Sequence, residues 1–296
     1  MSRRHLASSA ALALSLALVA CTSAPARPQA APPAGAPAAP VTVDMDLPAH
    51  VQQGSMVIGR TRPDAVVQVG ARTVRVAPDG RFVFGVGRDA TGEVVVRAHL
   101  PIGEASERHI AIDPRDWPLE RIDGVPENTV NPPPDIAARI EREQASVAAE
   151  RTRDDAREDF AQPFVWPIEG RISGRFGNQR IYNGTPKAPH SGMDIAAEQG
   201  APVKAPAAGI VTFAAPDLYL TGGTVLIDHG AGISSNFLHL SRIDVKVGDR
   251  VEQGQVFGAV GATGRATGPH LHWGMNWFDT RIDPLLVLEL NSGQTH

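Results

Sequence analysis

Between Gly170 and Gly274 the chain concentrates 18 of its 29 glycines, and no other stretch constrains the fold as strongly. Glycine at that density interrupts helices and supplies tight turns, so the region is expected to fold as many short strands. The same stretch carries five of the ten histidines, His190, His229, His239, His270 and His272, and no cysteine. A histidine cluster in a cysteine-free β region points to a metal held by imidazole and carboxylate. The chain's single cysteine, Cys21, lies far upstream, which excludes an intrachain disulfide framework and any multi-cysteine zinc or iron-sulfur site.

Two spacings sharpen the metal reading. In His190-Ser191-Gly192-Met193-Asp194 the outer residues are four apart, and in His270-Leu271-His272 the histidines are two apart. Both intervals are even, so on extended backbone each pair points to one face. A helix would align the first pair but not the second, and Pro189 and Gly192 argue against a helix at the first. Two imidazoles and one carboxylate suit zinc and leave a fourth position for water or substrate. The chain contains no HExxH, so no glutamate is placed as general base in the usual helical arrangement. Non-ligand histidines near the metal could take that role, since imidazole titrates near neutral pH.

HSGMD at 190–194, followed by FLHLSRIDVKVGDRVEQGQVFGAVGATGRATGPHLHWG at 237–274, resembles the lysostaphin/LytM-type zinc metallopeptidases, which cleave peptide crosslinks in bacterial cell walls. The resemblance covers roughly residues 165 to 285 and implies an antiparallel β-sheet domain of the duplicated hybrid motif type. It implies that His190, Asp194 and His272 bind one zinc ion. It assigns His239 and His270 as the catalytic pair beside the water that the metal activates, without saying which of them is the base. Tyr182 is the one local tyrosine that could line such a site, at a spacing too loose to place it in the core set. His229 reads as structural or supporting, Asp228, Asp244 and Asp249 as turn residues, and Trp273 and Trp277 as groove wall or core.

The rest of the chain reads as delivery and spacing. Residues 1–20 have a basic start at Arg3 and Arg4 and a 15-residue apolar run from Leu6 to Ala20. That run is shorter than the roughly 20 residues of a spanning helix and fits a secretory signal. Leu18-Val19-Ala20-Cys21 resembles the lipobox of bacterial lipoproteins, which implies lipidation at Cys21 and a membrane contact through that anchor. Thr22, where an aspartate would favour the inner membrane in such lipoproteins, favours the outer membrane, with the protein facing the periplasm. Residues 21–40 are a tether, whose part from Ala24 to Pro40 has eight Ala and six Pro and reaches ~50 Å if extended at about 3.1 Å per residue.

From 41 to 113, runs rich in β-branched residues (55–60, 65–69, 73–76, 81–86, 93–100) predict a small antiparallel β-sandwich of immunoglobulin-like size, with Asp79-Gly80 as a hairpin signal. Residues 114–163 form a connector. Its prolines at 114, 118, 126 and 132–134 exclude a continuous helix at the start. Asp135 then reads as the N-cap of a solvent-exposed helix running to about Phe160, with a thin apolar stripe at Ile136, Ile140 and Val147. The catalytic domain spans 164–286, and 287–296 is a tail. The expected class is therefore mainly β, in two folded units.

Formal net charge is −4, which gives no global reason to expect a nucleic-acid partner. Peptidoglycan stem peptides and crosslinks are the expected partners, with divisome or wall-synthesis proteins as further candidates. Two other classes were weighed. Members of the resembled family that have lost zinc ligands act as non-enzymatic regulators of other wall hydrolases, but all five positions here hold the expected residue. APAAGIVTF and VKVGDRVEQGQVFG look like biotinyl or lipoyl carrier hairpins, yet no lysine lies between Lys204 and Lys246 to carry the group.

Overall fold

The computed structural model describes residues 43–101 and 103–290. The expected leader at 1–20, Cys21, the tether to residue 40 and the chain end at 291–296 lie outside the described residues.

Each of the five apolar runs of the N-terminal part contains a strand: β2 (Met56–Arg60), β3 (Val66–Val69), β4 (Arg72–Val74), β5 (Arg81–Gly85) and β6 (Glu93–His99). Two further strands flank them, β1 (His50–Gln52) and β7 (Ala105–Asp113). They form a five-stranded sheet in the order β1-β7-β6-β3-β4 and a two-stranded sheet, β2-β5. Val67, Val96 and Ile110 of the first and Met56, Phe82 and Phe84 of the second are buried in one cluster.

Two expectations are corrected here. The turn at Asp79-Gly80 forms, with Gly80 N donating to Ala77 O at 2.8 Å, but it carries the chain from β4 in one sheet to β5 in the other. The apolar runs on either side mark strands, whereas the pairing depends on partners elsewhere in the chain. The arrangement is also not wholly antiparallel, since the edge strand β1 runs parallel to β7. Three residues are too few for periodicity to reveal such a strand.

In the connector, β8 (Leu119–Ile122) and a single turn of helix, α1 (Glu127–Val130), precede α2 (Pro134–Ala149). Asp135 is not the N-cap of α2. Pro133 holds that position, Pro134 begins the helix and Asp135 sits in its first turn, where proline loses no hydrogen bond and an acid favours the helix dipole. The helix also ends well before Phe160. After a short 3-10 turn at Glu150–Thr152, Arg157 is drawn to Asp228, Ala231 N donates to Asp155 O at 2.9 Å, and Phe160 is buried. Anchoring to the sheet outweighs the modest helix propensity of 150–160.

The C-terminal part opens with β9 (Arg171–Gly174), β10 (Gln179–Tyr182), β11 (Thr185–Pro186) and β12 (Met193–Ala196), then β13 (Pro202–Lys204), β14 (Gly209–Leu218) and β15 (Gly222–Asp228). It continues with β16 (Ile233–Leu240), β17 (Arg242–Ile243), β18 (Arg250–Val251), β19 (Val256–Ala259), β20 (His270–Trp277), β21 (Thr280–Ile282) and α3 (Pro284–Glu289). The main sheet runs β18-β14-β15-β16-β20-β12-β9, with β21 on β20, and every pairing in it is antiparallel. Val225, Ile227, Phe237, Leu271 and Trp273 are fully buried in its core.

The β-sandwich packs directly on this sheet. Phe84 meets Trp277 edge to face with ring centroids 6.5 Å apart, Arg115 pairs with the buried Asp283 at 2.9 Å, and Asp283 N donates to Gly54 O at 2.7 Å. A side chain on Gly85 would strike Ile282 and Trp277, each 2.8 Å from where its Cβ would stand. Buried residues of the two parts accordingly form one continuous core. The protein is mainly β.

Candidate metal centre

The site is made by strand pairing. β12 and β20 lie side by side with Asp194 directly opposite His272, and β16 places Leu238 opposite His272 on the other edge of β20. His190, in the loop before β12, is held by a backbone bond from its N to Asn178 O at 2.9 Å. Residues separated by 82 positions in the chain thus present their side chains to one point.

Three atoms converge there. His190 Nε2, Asp194 Oδ1 and His272 Nδ1 lie 2.8 to 3.1 Å from one another. This trio is the one group of three or more ligating residues that closes in this way among the described residues. Its members are 3 %, 7 % and 4 % exposed, so burial is nearly complete. His190 Nδ1 donates to Arg175 O at 3.0 Å, which leaves the lone pair on Nε2, aimed at the convergence point.

Charge around the trio is equally specific. Burial pushes the His272 imidazole down to about 3, so the ring is neutral. Asp194 is held well below the usual carboxylate range by its polar contacts with His190 and His272, which outweigh its burial, and it is ionised. Its other oxygen, Oδ2, accepts from Arg180 Nη2 at 2.5 Å, fixing the carboxylate so that Oδ1 faces the histidines. Arg180 also pairs with Glu120 and donates to the Tyr182 hydroxyl at 3.0 Å.

These residues fit a divalent cation. Two imidazole nitrogens and an anionic oxygen lie within 3.1 Å of one another around a common point, an arrangement that a cation between them relieves. His272 Nε2 is buried without a hydrogen-bond partner among the described residues, so its ring is placed by packing and by the Nδ1 side. A side chain on Gly192 would come within 2.8 Å of that nitrogen, so only glycine leaves room for the ring here. The donor set of two nitrogens and one oxygen suits zinc.

Two more histidines stand beside the trio. The His239 and His270 rings are 4.8 Å apart, and His270 Nε2 is 3.8 Å from Asp194 Oδ1. Each donates Nδ1–H to a carbonyl at 2.8 Å, His239 to Thr263 and His270 to Gly268, which leaves Nε2 of each ring as the atom the backbone does not engage. Burial, helped by His270, lowers His239 to about 4. Its backbone is left-handed at φ 65°, an uncommon conformation for a residue with a side chain.

The remaining candidates separate cleanly. His229 lies elsewhere, fully buried, donating from Nδ1 to Ala208 O at 2.7 Å and accepting at Nε2 from Ser235 Oγ at 2.9 Å. Asp228 is an ion-pair partner of Arg157 rather than a simple turn residue. Trp273 and Trp277 belong to the core, not to a groove wall. Sequence reading missed Arg180 and Arg265, which line the site with Tyr182. No motif marks these arginines, because their role depends on where β10 and the loop before β20 meet.

A groove passes through the site. On one side a cavity of about 580 Å³ reaches beneath α2, and on the other a cavity of about 360 Å³ lies along Ser173, Gly268 and His270. Both share Arg180, Tyr182, His239 and Arg265. The connector straddles the groove. Asn183 clasps Val125 through both backbone groups on one wall, and Arg265 donates to Thr129 O at 3.1 Å on the other.

Residues 188–284 match peptidase family M23. The chain is 41% identical over 111 residues to peptidoglycan DD-endopeptidase ShyA of Vibrio cholerae, covering 36% of this chain and 26% of that protein. It is 33% identical over 165 residues to cell division protein DipM of Caulobacter vibrioides, covering 54% of this chain and 26% of that protein. The matches thus span about a quarter of the length of these relatives. A peptidase M23 structure from Pseudomonas aeruginosa superposes with a TM-score of 0.62 at 31% identity, over 80% of this chain and 94% of that one. The fold therefore has a counterpart over most of the chain, and the chain belongs to peptidase family M23.

Proposed function

We propose that the protein is a zinc-dependent endopeptidase that hydrolyses peptide crosslinks of peptidoglycan, with His190, Asp194 and His272 as metal ligands and His239 and His270 as the catalytic pair. The observation that carries this reading is the convergence of three ligand atoms within 3.1 Å beside two imidazoles whose Nε2 atoms are free. The likeness to proteins named peptidoglycan DD-endopeptidase supports the substrate class, with a D-Ala to diaminopimelate bond as the default.

Bound at the trio, zinc would supply Lewis-acid polarisation of the scissile carbonyl and make water acidic enough to attack near neutral pH. The chain's own residues do the rest. His239 and His270 present Nε2 lone pairs that take a proton as water attacks and return it to the leaving amine, each ring oriented by its Nδ1 bond. Arg180 keeps Asp194 ionised and oriented, and with Arg265 and Tyr182 it walls the groove in which the peptide lies. Because β12, β16 and β20 are central strands, this constellation is rigid before substrate arrives.

His190→Ala, Asp194→Ala or His272→Ala should each lose bound zinc and all turnover, whereas His239→Ala or His270→Ala should keep zinc and lose turnover by 10²-fold or more. Elemental analysis of the purified protein, with muropeptide analysis of digested sacculi by mass spectrometry, checks both. Wild-type protein that holds no zinc and releases no muropeptide, yet stimulates an amidase, would replace the enzyme with a regulator.

We also place the protein at the outer membrane, facing the periplasm and held by a lipid on Cys21, where cell-division or wall-synthesis proteins would be its neighbours. The lipobox-like Leu18-Val19-Ala20-Cys21 supports this anchor. Cys21→Ser should move the protein from the membrane to the soluble fraction, and unchanged fractionation would refute the anchor.

A further inference from the structure

The larger arm of the groove is unusually cationic. Arg151, Arg180, Lys187, Arg265 and Arg281 line it, against the single carboxylate of Glu143. Three of these cations have partners: Arg180 pairs with Asp194 and Glu120, Lys187 donates to Val130 O, and Arg265 donates to Thr129 O. Glu143 is taken as well, by Arg139 at 2.6 Å and by the backbone N of Tyr219 at 2.8 Å.

Arg151 and Arg281 are different. Among the described residues Arg151 Nε is buried with no hydrogen-bond partner, and the one side-chain hydrogen bond of Arg281 is a long 3.4 Å contact to Asn276 Oδ1. Among the described residues no carboxylate pairs with either. Burial lowers Arg151 to about 9, helped by the charge of Arg281, and Arg281 to about 10, yet both stay protonated at neutral pH. Two guanidiniums facing one cavity without counter-charge are costly to hold. The same cavity is lined by His239 and His272, so whatever satisfies the arginines lies in the groove that passes through the metal centre.

We infer that Arg151 and Arg281 form a carboxylate subsite that anchors a free carboxylate of the substrate's stem peptide next to the scissile bond. The inference rests on the function proposed above. Guanidinium forks bind carboxylates with paired, charge-assisted hydrogen bonds, and stem peptides of the diaminopimelate type carry such groups on glutamate and diaminopimelate. A carboxylate there neutralises both arginines, whereas an amide in its place leaves them unpaired. The subsite therefore discriminates against amidated stems. Arg151 belongs to the segment that covers the groove and Arg281 to the sheet beneath, so the same carboxylate also bridges cover and floor.

The test uses the full-length zinc-loaded protein and two crosslinked muropeptide dimers, one with free stem carboxylates and one with them amidated. Wild type should show a KM at least ~10-fold higher for the amidated dimer with kcat within about threefold. Arg151→Gln and Arg281→Gln should raise KM for the free dimer to the amidated level, abolish the preference and leave kcat within the same range. Neither variant should melt below wild type, since each removes one of two facing charges that have no counter-charge; a purely structural arginine would lower the melting temperature and leave the preference intact. If Arg281→Gln does not fold, Arg151→Gln gives the same reading from the covering segment. Equal KM for the two dimers in wild type, or a preference that survives both substitutions, overturns the subsite. If wild type cleaves neither dimer the proposed reaction fails, and calorimetric binding of the same dimers then decides the subsite. Amidation must weaken binding at least ~10-fold in wild type and not in the variants, and absent or equal binding overturns it.

Discussion

A single histidine outside the site gives the clearest handle on how burial shapes this protein. His229 is fully buried and its imidazole is pushed from 6.5 to about 4 by desolvation. The folded protein keeps the ring neutral where the unfolded chain would protonate it, so its contribution is complete above pH 6.5 and is lost as pH falls from 6.5 toward 4. At about 1.4 kcal/mol per pH unit this amounts to roughly 3 kcal/mol at the lower end. Denaturant unfolding at several pH values should show the slope, and His229→Asn, which keeps a donor for Ala208 O but cannot titrate, should flatten it by about one proton. An unchanged slope would mean that His229 is not the group responsible. At this scale the even spacings brought His190 with Asp194 and His270 with His272 into view, because ligand chemistry requires particular residue types on one face, whereas His239 came only with the family resemblance. The sequence was blind to Arg180, whose importance comes from a bond to Asp194 across two strands, and to the left-handed backbone of His239.

Among the elements, the segment that covers the groove is the one whose behaviour follows least from its sequence. Ile140 and Val147 of the thin stripe on α2 do face a cavity, but that cavity is the larger arm of the groove and not a packed core. Residues 122–131 are tied to one wall through Asn183 and to the other through Arg265, and Val125, Val130 and Tyr182 make a small buried cluster between them. A peptide strand must pass beneath this strap or displace it. Asn183 sits at φ 47°, so Asn183→Gly removes both side-chain bonds to Val125 without imposing backbone strain. The variant should release muropeptides faster than wild type at equal zinc content, by up to about 30-fold if each of the two lost bonds is worth about 1 kcal/mol in the closed state. Equal rates would show that the groove admits substrate with the strap in place. The prolines at 126 and 132–134 correctly excluded a continuous helix, but where such a segment docks is decided by hydrogen bonds to residues far away in sequence, such as Asn183 and Arg265.

For the molecule as a whole, length and composition suggested two folded units, and the strands of both are where their apolar runs are. What no periodicity revealed is that the two share a core. Trp277 could be read as groove wall or interior from sequence, because an aromatic residue announces burial without naming its partner. It stands between Phe84 of the sandwich and Phe278 of the main sheet, with Arg72 stacked over Phe278 at 4.0 Å. Asp283 caps α3 while pairing with Arg115 and bonding to Gly54, so the end of the catalytic sheet and the sandwich hold each other's polar groups. An interface this apolar, with buried charge paired across it, should make the two parts unfold together, and calorimetry should record one transition whose van't Hoff and calorimetric enthalpies agree. Trp277→Ala removes the side chain that both parts pack against and should cost ~3–5 kcal/mol, the range for deleting a buried large aromatic. If the coupling runs mainly through this contact, the variant should also split the single transition into two, with the sandwich and the main sheet melting separately. Two transitions already present in wild type would show instead that the shared core does not bind the parts into one cooperative unit.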